Sequence, residues 1–518
     1  MRRLIYIFII GLLLCSYTWA DGSRYASKSL LSEGKWVKIR VDKTGIYKLS
    51  YADLKNMGFS DPSKVSVHGY GGWPLDEDFS KEYIDDVPST PVWRGSDYLL
   101  FYGKGPVKWE YDSSSQTFVH TNNPYSLYGY YFVTDATPTN DMTSVAQASG
   151  ATNRITTYDD YLVHEQELVS LAKSGRELYG EDFSGATPRT LSTFSSIPGI
   201  TNEDAKVTMS FVSKVTSGTG VASLSINQSN VLDVSIRSNR EEYVKALEGV
   251  STAVWKGEKS EKNSVVVSYN SASHNNVRLN YVRLHFKRTL QPYGAYTFFR
   301  SIASIGNVSR FVVQGANANT LVFDVTDAQR VRLMETELNG SELTFSIPAG
   351  TLREFVLVRT DQSFISPEVV GEVENQNLHA LEQKDMIIIA AKAFQTQAER
   401  LAEEHRATDG LTVEVVDPQS IYNEFSSGAP DATAYRRFMK MFYDRSVSAG
   451  NAPKYLLLFG DGIYDNRGIC SDVKNIARDN MLLTYQSRAS LFEYSGLFYN
   501  SNFSYVTDDY YGLLDNVS

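Results

Sequence analysis

Asp461, Asp465, Asp472, Asp479, Asp508 and Asp509 fall in one loop-rich stretch near the end of the sequence. Carboxylates are hard oxygen donors, so such a cluster is a candidate calcium site, with Asp461, Asp465, Asp508 and Asp509 as the expected ligands, although the spacing is not that of an EF-hand. Solvated loop carboxylates are the alternative, and no cofactor is required. A nucleophile is harder to find. The chain has two cysteines, Cys15 and Cys470. A reactive thiolate needs a nearby histidine or an electropositive setting. Cys470 sits in the loop-like Arg467-Gly468-Ile469-Cys470-Ser471-Asp472, and no histidine follows it, so it reads as a structural or exposed thiol. The seven histidines have structural placements. His285 is in a strand pattern, His405 is on the apolar side of a helix pattern, His68 and His120 border loops, and His379 precedes a strand. His164-Glu165-Gln166-Glu167 lacks the second histidine of a zinc helix, and there is no Walker loop and no Gly-x-Ser-x-Gly elbow.

The acidic cluster must be held by the elements before it. Met386-Ile387-Ile388-Ile389-Ala390 is a continuous apolar strand, and Phe394, Ala398, Leu401 and Ala402 then recur at helical spacing until Gly410. Leu411 to Val416 is a second strand. Asp431 can cap a helix with Ala434, Phe438, Met441 and Phe442 on one side, and Tyr455-Leu456-Leu457-Leu458-Phe459 is a third strand. Strand, helix, strand, helix, strand makes a parallel α/β layer with right-handed crossovers. Ligand and catalytic groups in such sheets gather at the carboxyl ends of strands, which is where Gly460-Asp461-Gly462 falls.

Upstream the period is that of strands. Trp36-Val37-Lys38-Ile39-Arg40-Val41, Val65-Ser66-Val67-His68 and Tyr98-Leu99-Leu100-Phe101-Tyr102 are separated by turn signals. Residues 135 to 153, rich in Ser, Thr, Ala and Asn, read as a linker or long loop. A short helix is expected over Val163 to Lys173. From about Thr190 to Thr360 a second set of strands follows. In its best strand Val277, Leu279, Tyr281, Arg283 and His285 share one face, and Val282, Leu284 and Phe286 the other. One mostly apolar face implies a sandwich.

At 518 residues, with 42% hydrophobic and 21% charged residues, the chain has room for about three globular domains. Its net charge of −10 leaves no basic footprint for nucleic acid. Tyr outnumbers Phe, 33 to 25, which suits β-rich domains with half-buried faces. Arg2 and Arg3, the apolar run Leu4 to Leu14 and Thr18-Trp19-Ala20 compose a secretory signal peptide cleaved after Ala20. Leu14 before Cys15 argues against a lipobox. The expected organisation is a signal peptide over residues 1–20, an N-terminal β-domain over 21–150, a second, sandwich-like β-region over 151–375 and an α/β segment over 376–518. With one thiol in the mature chain, packing rather than an intrachain disulfide must supply stability.

Ile421-Tyr422-Asn423-Glu424-Phe425-Ser426-Ser427-Gly428, Asp431-Ala432-Thr433-Ala434-Tyr435-Arg436, Tyr455 to Asp465 and Thr507-Asp508-Asp509-Tyr510-Tyr511-Gly512 resemble the opening of a gingipain-type cysteine peptidase domain. Gly45-Ile46-Tyr47-Lys48, Asp97 to Gly103 and Ser174-Gly175-Arg176-Glu177-Leu178-Tyr179-Gly180-Glu181 resemble the sortase of the bacterial type IX secretion system. The resemblance implies a caspase-like α/β sheet and a His-Cys dyad, with the histidine in a Gly-His-Gly and the cysteine in an Ala-Cys context. It implies an acyl-enzyme that removes the C-terminal signal domain of secreted cargo and joins the cargo to surface lipopolysaccharide. It also implies an outer-membrane β-barrel anchor protein as partner and a path from the periplasm to the cell surface. Neither Gly-His-Gly nor Ala-Cys occurs here. The α/β sheet is therefore expected to be incomplete, and the dyad to lie beyond Ser518 in a longer protein. A non-enzymatic secreted adhesin and a gingipain-like general protease are the competing readings.

Overall fold

The computed structural model describes residues 24–185, 187–447, 449–493 and 503–515; the expected signal peptide lies outside them. Near the amino end, Trp36–Val41 pairs with Gly129–Thr134 on one side and with Glu368–Val373 on the other. Ser66–His68 and Ser89–Thr90 complete this five-stranded sheet. The strand Glu368–Val373 thus returns from the far end of the second β-region to close the first sheet. A three-stranded sheet of Gly45–Ser50, Tyr98–Gly103 and Val92–Arg94 lies against it. Val37, Ile39, Leu49, Phe101 and Tyr131 are buried in the shared core, each fully buried side chain contributing about 1.5–3 kcal/mol.

The second β-region is built on a nine-stranded sheet whose long strands Thr157–Glu165, His274–Thr289 and Ala205–Val215 lie side by side toward one edge. Two separate four-stranded sheets accompany it, and the chain therefore has two sandwich cores. One gathers Phe211, Leu224, Val234, Val267 and Leu284; the other stacks Phe299, Phe311, Phe345 and Phe355. Ile46, Leu100 and Tyr102 of the first domain bury against Phe323, Val356 and Val358 of the nine-stranded sheet, so the two β-units share an apolar seam.

Two local expectations fail here. No helix covers Val163 to Lys173: Val163, His164 and Glu165 continue the strand Thr157–Glu165, paired from Thr157↔Thr289 to Glu165↔Tyr281. Beyond it Val169 bonds through its backbone to Tyr179. The neighbouring sixteen-residue strand offers continuous ladder bonds, which outweigh a marginal helical period. The faces of His274–Thr289 also differ from strict alternation. The pairing with Ala205–Val215 slips between Ser210 and Phe211, opposite Tyr281 and Leu279. The bulge at Asn280 flips the parity, and Val277 and Leu279 join Val282, Leu284 and Phe286 in one core.

The last unit is a parallel sheet of β1 (Met386–Ala390), β2 (Val413–Val416) and β3 (Tyr455–Phe459), with β1 in the centre. Helix α1 (Gln395–Glu404) buries Ala398 and Ala402 against Ile388 and Val413 on one face. Helices α2 (Pro418–Phe425) and α3 (Ala432–Ser446) cover the other, where Ile387, Ile389, Phe425, Phe438 and Phe442 meet. Asp431 caps α3, its carboxylate accepting from Thr433 N at 2.7 Å. Helix α2 was not anticipated, although Asp417-Pro418 is a start signal: Asp417 caps Ser420 N and proline occupies the first turn. Helix α1 ends in a π turn, His405–Asp409, closed by Gly410 at φ 66°.

Candidate functional site

The carboxyl edge of β3 runs straight into the stretch the sequence singles out. Gly460 leaves β3 where a Cβ would lie 2.8 Å from Leu482 Cγ and 3.0 Å from Ala391 Cβ, so only a glycine allows the approach. The following loop is zipped to residues 480–482: Asp461 N donates to Asn480 O and Leu482 N to Asp461 O, both at 2.8 Å. Asp461 and Asp465 accordingly lie on the loop after the strand, at the edge where open α/β sheets place their ligands.

The four aspartates have different surroundings. Asp461 is exposed and accepts from Gly462 N at 2.9 Å. Asp465 is buried, and its carboxylate accepts from the backbone N–H groups of Arg467, Gly468 and Cys470 at 3.1, 3.0 and 2.7 Å. Its oxygens are thus engaged in folding the loop. Asp508 and Asp509 are exposed beside the 3₁₀ turn Asp509–Gly512, and burial together with the charge of Asp509 raises the Asp508 pKa. The four do not converge on a common centre. Among the described residues the carboxylate and imidazole group whose ligand atoms lie within 4.8 Å of one another is Asp86, His379 and Glu424.

That group is an ion-pair network at the seam between the first domain and the α/β unit. His379 is buried; its Nδ1 lies 2.5 Å from Glu424 Oε2 and its Nε2 3.1 Å from Asp85 Oδ1. Burial disfavours the imidazolium, yet the hydrogen bonds to Asp85 and Glu424 prevail and raise its pKa to about 9. Glu424 also accepts from Gln376 Nε2 and from the backbone N–H groups of Leu378 and His379, so donors, not a cation, satisfy its oxygens. No local pattern signals this pairing beyond the placement of Glu424 in one of the motifs that carry the resemblance.

Cys470 is 2% exposed, packed against Leu178 and Val473. Burial and the nearby Asp465 push its thiol up to about 11, the reverse of an activated nucleophile. Iodoacetamide at neutral pH is expected to leave the native protein unlabelled and to label Cys470 only in denaturant; rapid native alkylation, read by mass spectrometry, would contradict this placement. The histidines are structural but partly misplaced by the sequence. His68 ends its strand and borders the following loop, as expected, whereas His120 lies within a strand. His405 is in the π turn, its ring 2.7 Å from Asp409 and 31% exposed, rather than packed on an apolar face.

Two of the motifs quoted outside the sheet, Ser174 to Glu181 and Thr507 to Gly512, hold it in place. Gly175 N donates to Gln486 Oε1, Arg176 Nε to Gln486 O and Glu177 N to Ser490 Oγ. Arg176 also pairs with Glu77 of the first domain. Tyr510 stacks on Tyr485 at 4.0 Å and bonds Thr433 on α3, while Tyr511 donates to Leu483 O.

A three-stranded parallel sheet flanked by helices on both faces, mounted on β-sandwiches, defines the class. Residues 379–517 match the model of peptidase family C25. Nearly the whole chain is similar to the crystal structure of dimeric latent PorU from Porphyromonas gingivalis, with a TM-score of 0.87 and 34% identity over 96% of this chain. The chain spans 47% of that structure's chain. Weaker matches include Eiger TNF from S. frugiperda, with a TM-score of 0.18 and 12% identity over 26% of this chain and 93% of that one. A search of curated proteins found no match.

Proposed function

We propose that the chain is the N-terminal part of a type IX secretion sortase, a cysteine peptidase and transpeptidase that removes the C-terminal signal domain of cargo and transfers the cargo to lipopolysaccharide. The likeness to PorU, which runs through both β-units and into the parallel sheet, carries this reading. The outer edge of β3, which pairs with no further strand among the described residues, supports it. Tyr455 is 55% exposed and Leu456 to Phe459 are only partly covered, whereas interior strands of a finished parallel sheet are buried on both sides. A further strand beside β3 would complete the sheet and bring the dyad to its carboxyl edge. Attack of the cysteine thiolate on the cargo carbonyl would expel the signal domain as an amine, and an acceptor amine would then displace the thiolate.

Export begins, on this reading, with cleavage after Ala20, and an outer-membrane β-barrel protein anchors the product at the cell surface. Among the described residues no helix is long and apolar enough to cross a membrane. N-terminal sequencing of the exported protein is expected to start at Asp21; a retained Met1 would overturn the export step.

The enzymatic proposal is tested with a cargo signal-domain peptide. The chain of 518 residues should neither cleave it nor form an acyl adduct by mass spectrometry. The protein extended through its downstream reading frame should cleave it, and lose that activity when the cysteine of the Ala-Cys context is changed to alanine. Turnover by the 518-residue chain that disappears in Cys470→Ala would overturn the assignment of the dyad.

A further inference from the structure

A cleft of about 460 Å³ opens between the two β-units, and among the described residues none of the α/β segment lines it. Its size is that of a small-ligand pocket. The turn Asp42–Thr44, Trp73 and the strand Val107–Asp112 form one wall, and the nine-stranded sheet forms the other. Both walls are aromatic. Trp109 stacks on Tyr161 with ring centres 4.0 Å apart, and Trp73, Tyr102 and Tyr296 are among the other aromatic side chains that line the cleft.

The charges in the cleft cancel. Lys43, Arg288 and Arg300 face Asp42, Asp160 and Glu354. Arg288 donates to Asp160 at 2.9 Å, and Arg300 Nε lies 2.8 Å from Glu354. An anion would therefore have to displace carboxylates already paired. A cation would meet guanidinium groups already over the rings, Arg300 at 4.5 Å from the Tyr161 centre and Arg288 at 3.8 Å from that of Tyr293.

Three hydrogen-bonding groups stand at the cleft. Trp73 Nε1 is buried without a partner. Tyr102, only 3% exposed, and Tyr161 both line the cleft, and burial keeps both hydroxyls protonated and able to donate. A purely apolar ligand would leave these groups unpaired at about 1–3 kcal/mol each.

We infer that this cleft binds a neutral carbohydrate. A pyranose ring presents apolar C–H faces to aromatic side chains and a rim of hydroxyls that both donate and accept. It therefore matches a neutral aromatic slot with an indole N–H, two phenol hydroxyls and the Glu354 carboxylate. The inference is independent of the peptidase reading, since it uses only the β-units.

The test is an array of neutral mono- and disaccharides, followed by titration calorimetry and saturation-transfer NMR on the purified chain. At least one neutral sugar is expected to bind with millimolar affinity or better. The double variant Tyr102→Phe/Tyr161→Phe keeps both rings and removes both hydroxyls. It should keep the melting temperature and weaken that sugar about tenfold, the equivalent of about 1.4 kcal/mol. Absence of binding across the array, an affinity unchanged in the double variant, or binding of lysine or phosphate in place of sugars would each overturn the inference.

Discussion

Replacing His379 by alanine is expected to lower the unfolding free energy by about 3–5 kcal/mol, the range for breaking a buried ion pair from one side. The imidazole is fully covered and bridges Glu424 and Asp85, and it lies flat on Phe425 with ring centres 4.6 Å apart. The variant leaves two largely buried carboxylates facing a void. The same group gives a pH signature. Its pKa rises from the ordinary 6.5 to about 9 in the folded state, so the folded protein binds the proton more tightly than the unfolded chain. The stabilisation is fully present below about pH 6.5 and is lost as the pH climbs through about 9. Lys38 acts in the opposite sense. Burial pulls its pKa down to about 7, and it bonds Gly428 O at 2.7 Å at the same seam. Its contribution grows as the pH rises from about 7 toward the ordinary lysine value. The measurement is therefore the difference in urea midpoint between the wild type and His379→Gln. That difference should shrink between about pH 6.5 and about 9; a pH-independent gap would mean that His379 is buried neutral.

The parallel sheet was legible because its signals are local. Ile387 to Ile389 form an unbroken apolar run, Ala398 and Ala402 repeat at helical spacing, and Asp431 stands one residue before α3. All three strands and both expected helices occupy the anticipated segments. What the sequence hid is set by partners far along the chain. The bulge at Asn280 exists only in the pairing with Ala205–Val215. Glu368–Val373 is recognisable as a strand of the first sheet only once Trp36–Val41 is beside it. The candidate site divides in the same way. The sequence places Asp461 and Asp465 after β3 because strand order alone dictates it. It cannot reveal that Asp465 spends its oxygens on three backbone N–H groups, or that His379 meets Asp85 from 294 residues away. His379 carries no local pattern, and its role comes entirely from that encounter.

Arg467→Ala is expected to release the loops beyond β3 from the β-unit that supports them. Arg467 donates through both Nη atoms to the two carboxylate oxygens of Glu167, at 2.7 and 2.6 Å, across 300 residues of sequence. The arginine side chain is 4% exposed and the glutamate 19%, so this is a two-pronged pair largely withdrawn from water, the strong form of such a contact. Glu167 belongs to the His164-Glu165-Gln166-Glu167 stretch that could pass for part of a metal helix; its structural task is to hold this loop. Without the guanidinium, Glu167 is left unpaired in a mostly buried site, at a cost of about 3 kcal/mol. The loop residues 463–473 keep the turn built on Asp465 and the packing of Cys470 on Leu178 but lose their buried ion pair with the second β-region. Because the tether is local, hydrogen exchange should accelerate across 463–490 before the sandwich cores respond. Arg467→Met combined with Glu167→Met removes both charges and should cost less than Arg467→Ala alone, as expected when the penalty lies in the abandoned carboxylate. If the double variant proves the less stable of the two, or exchange rises uniformly over the chain, the pair is part of the global core and not the strut that positions the carboxyl edge of β3.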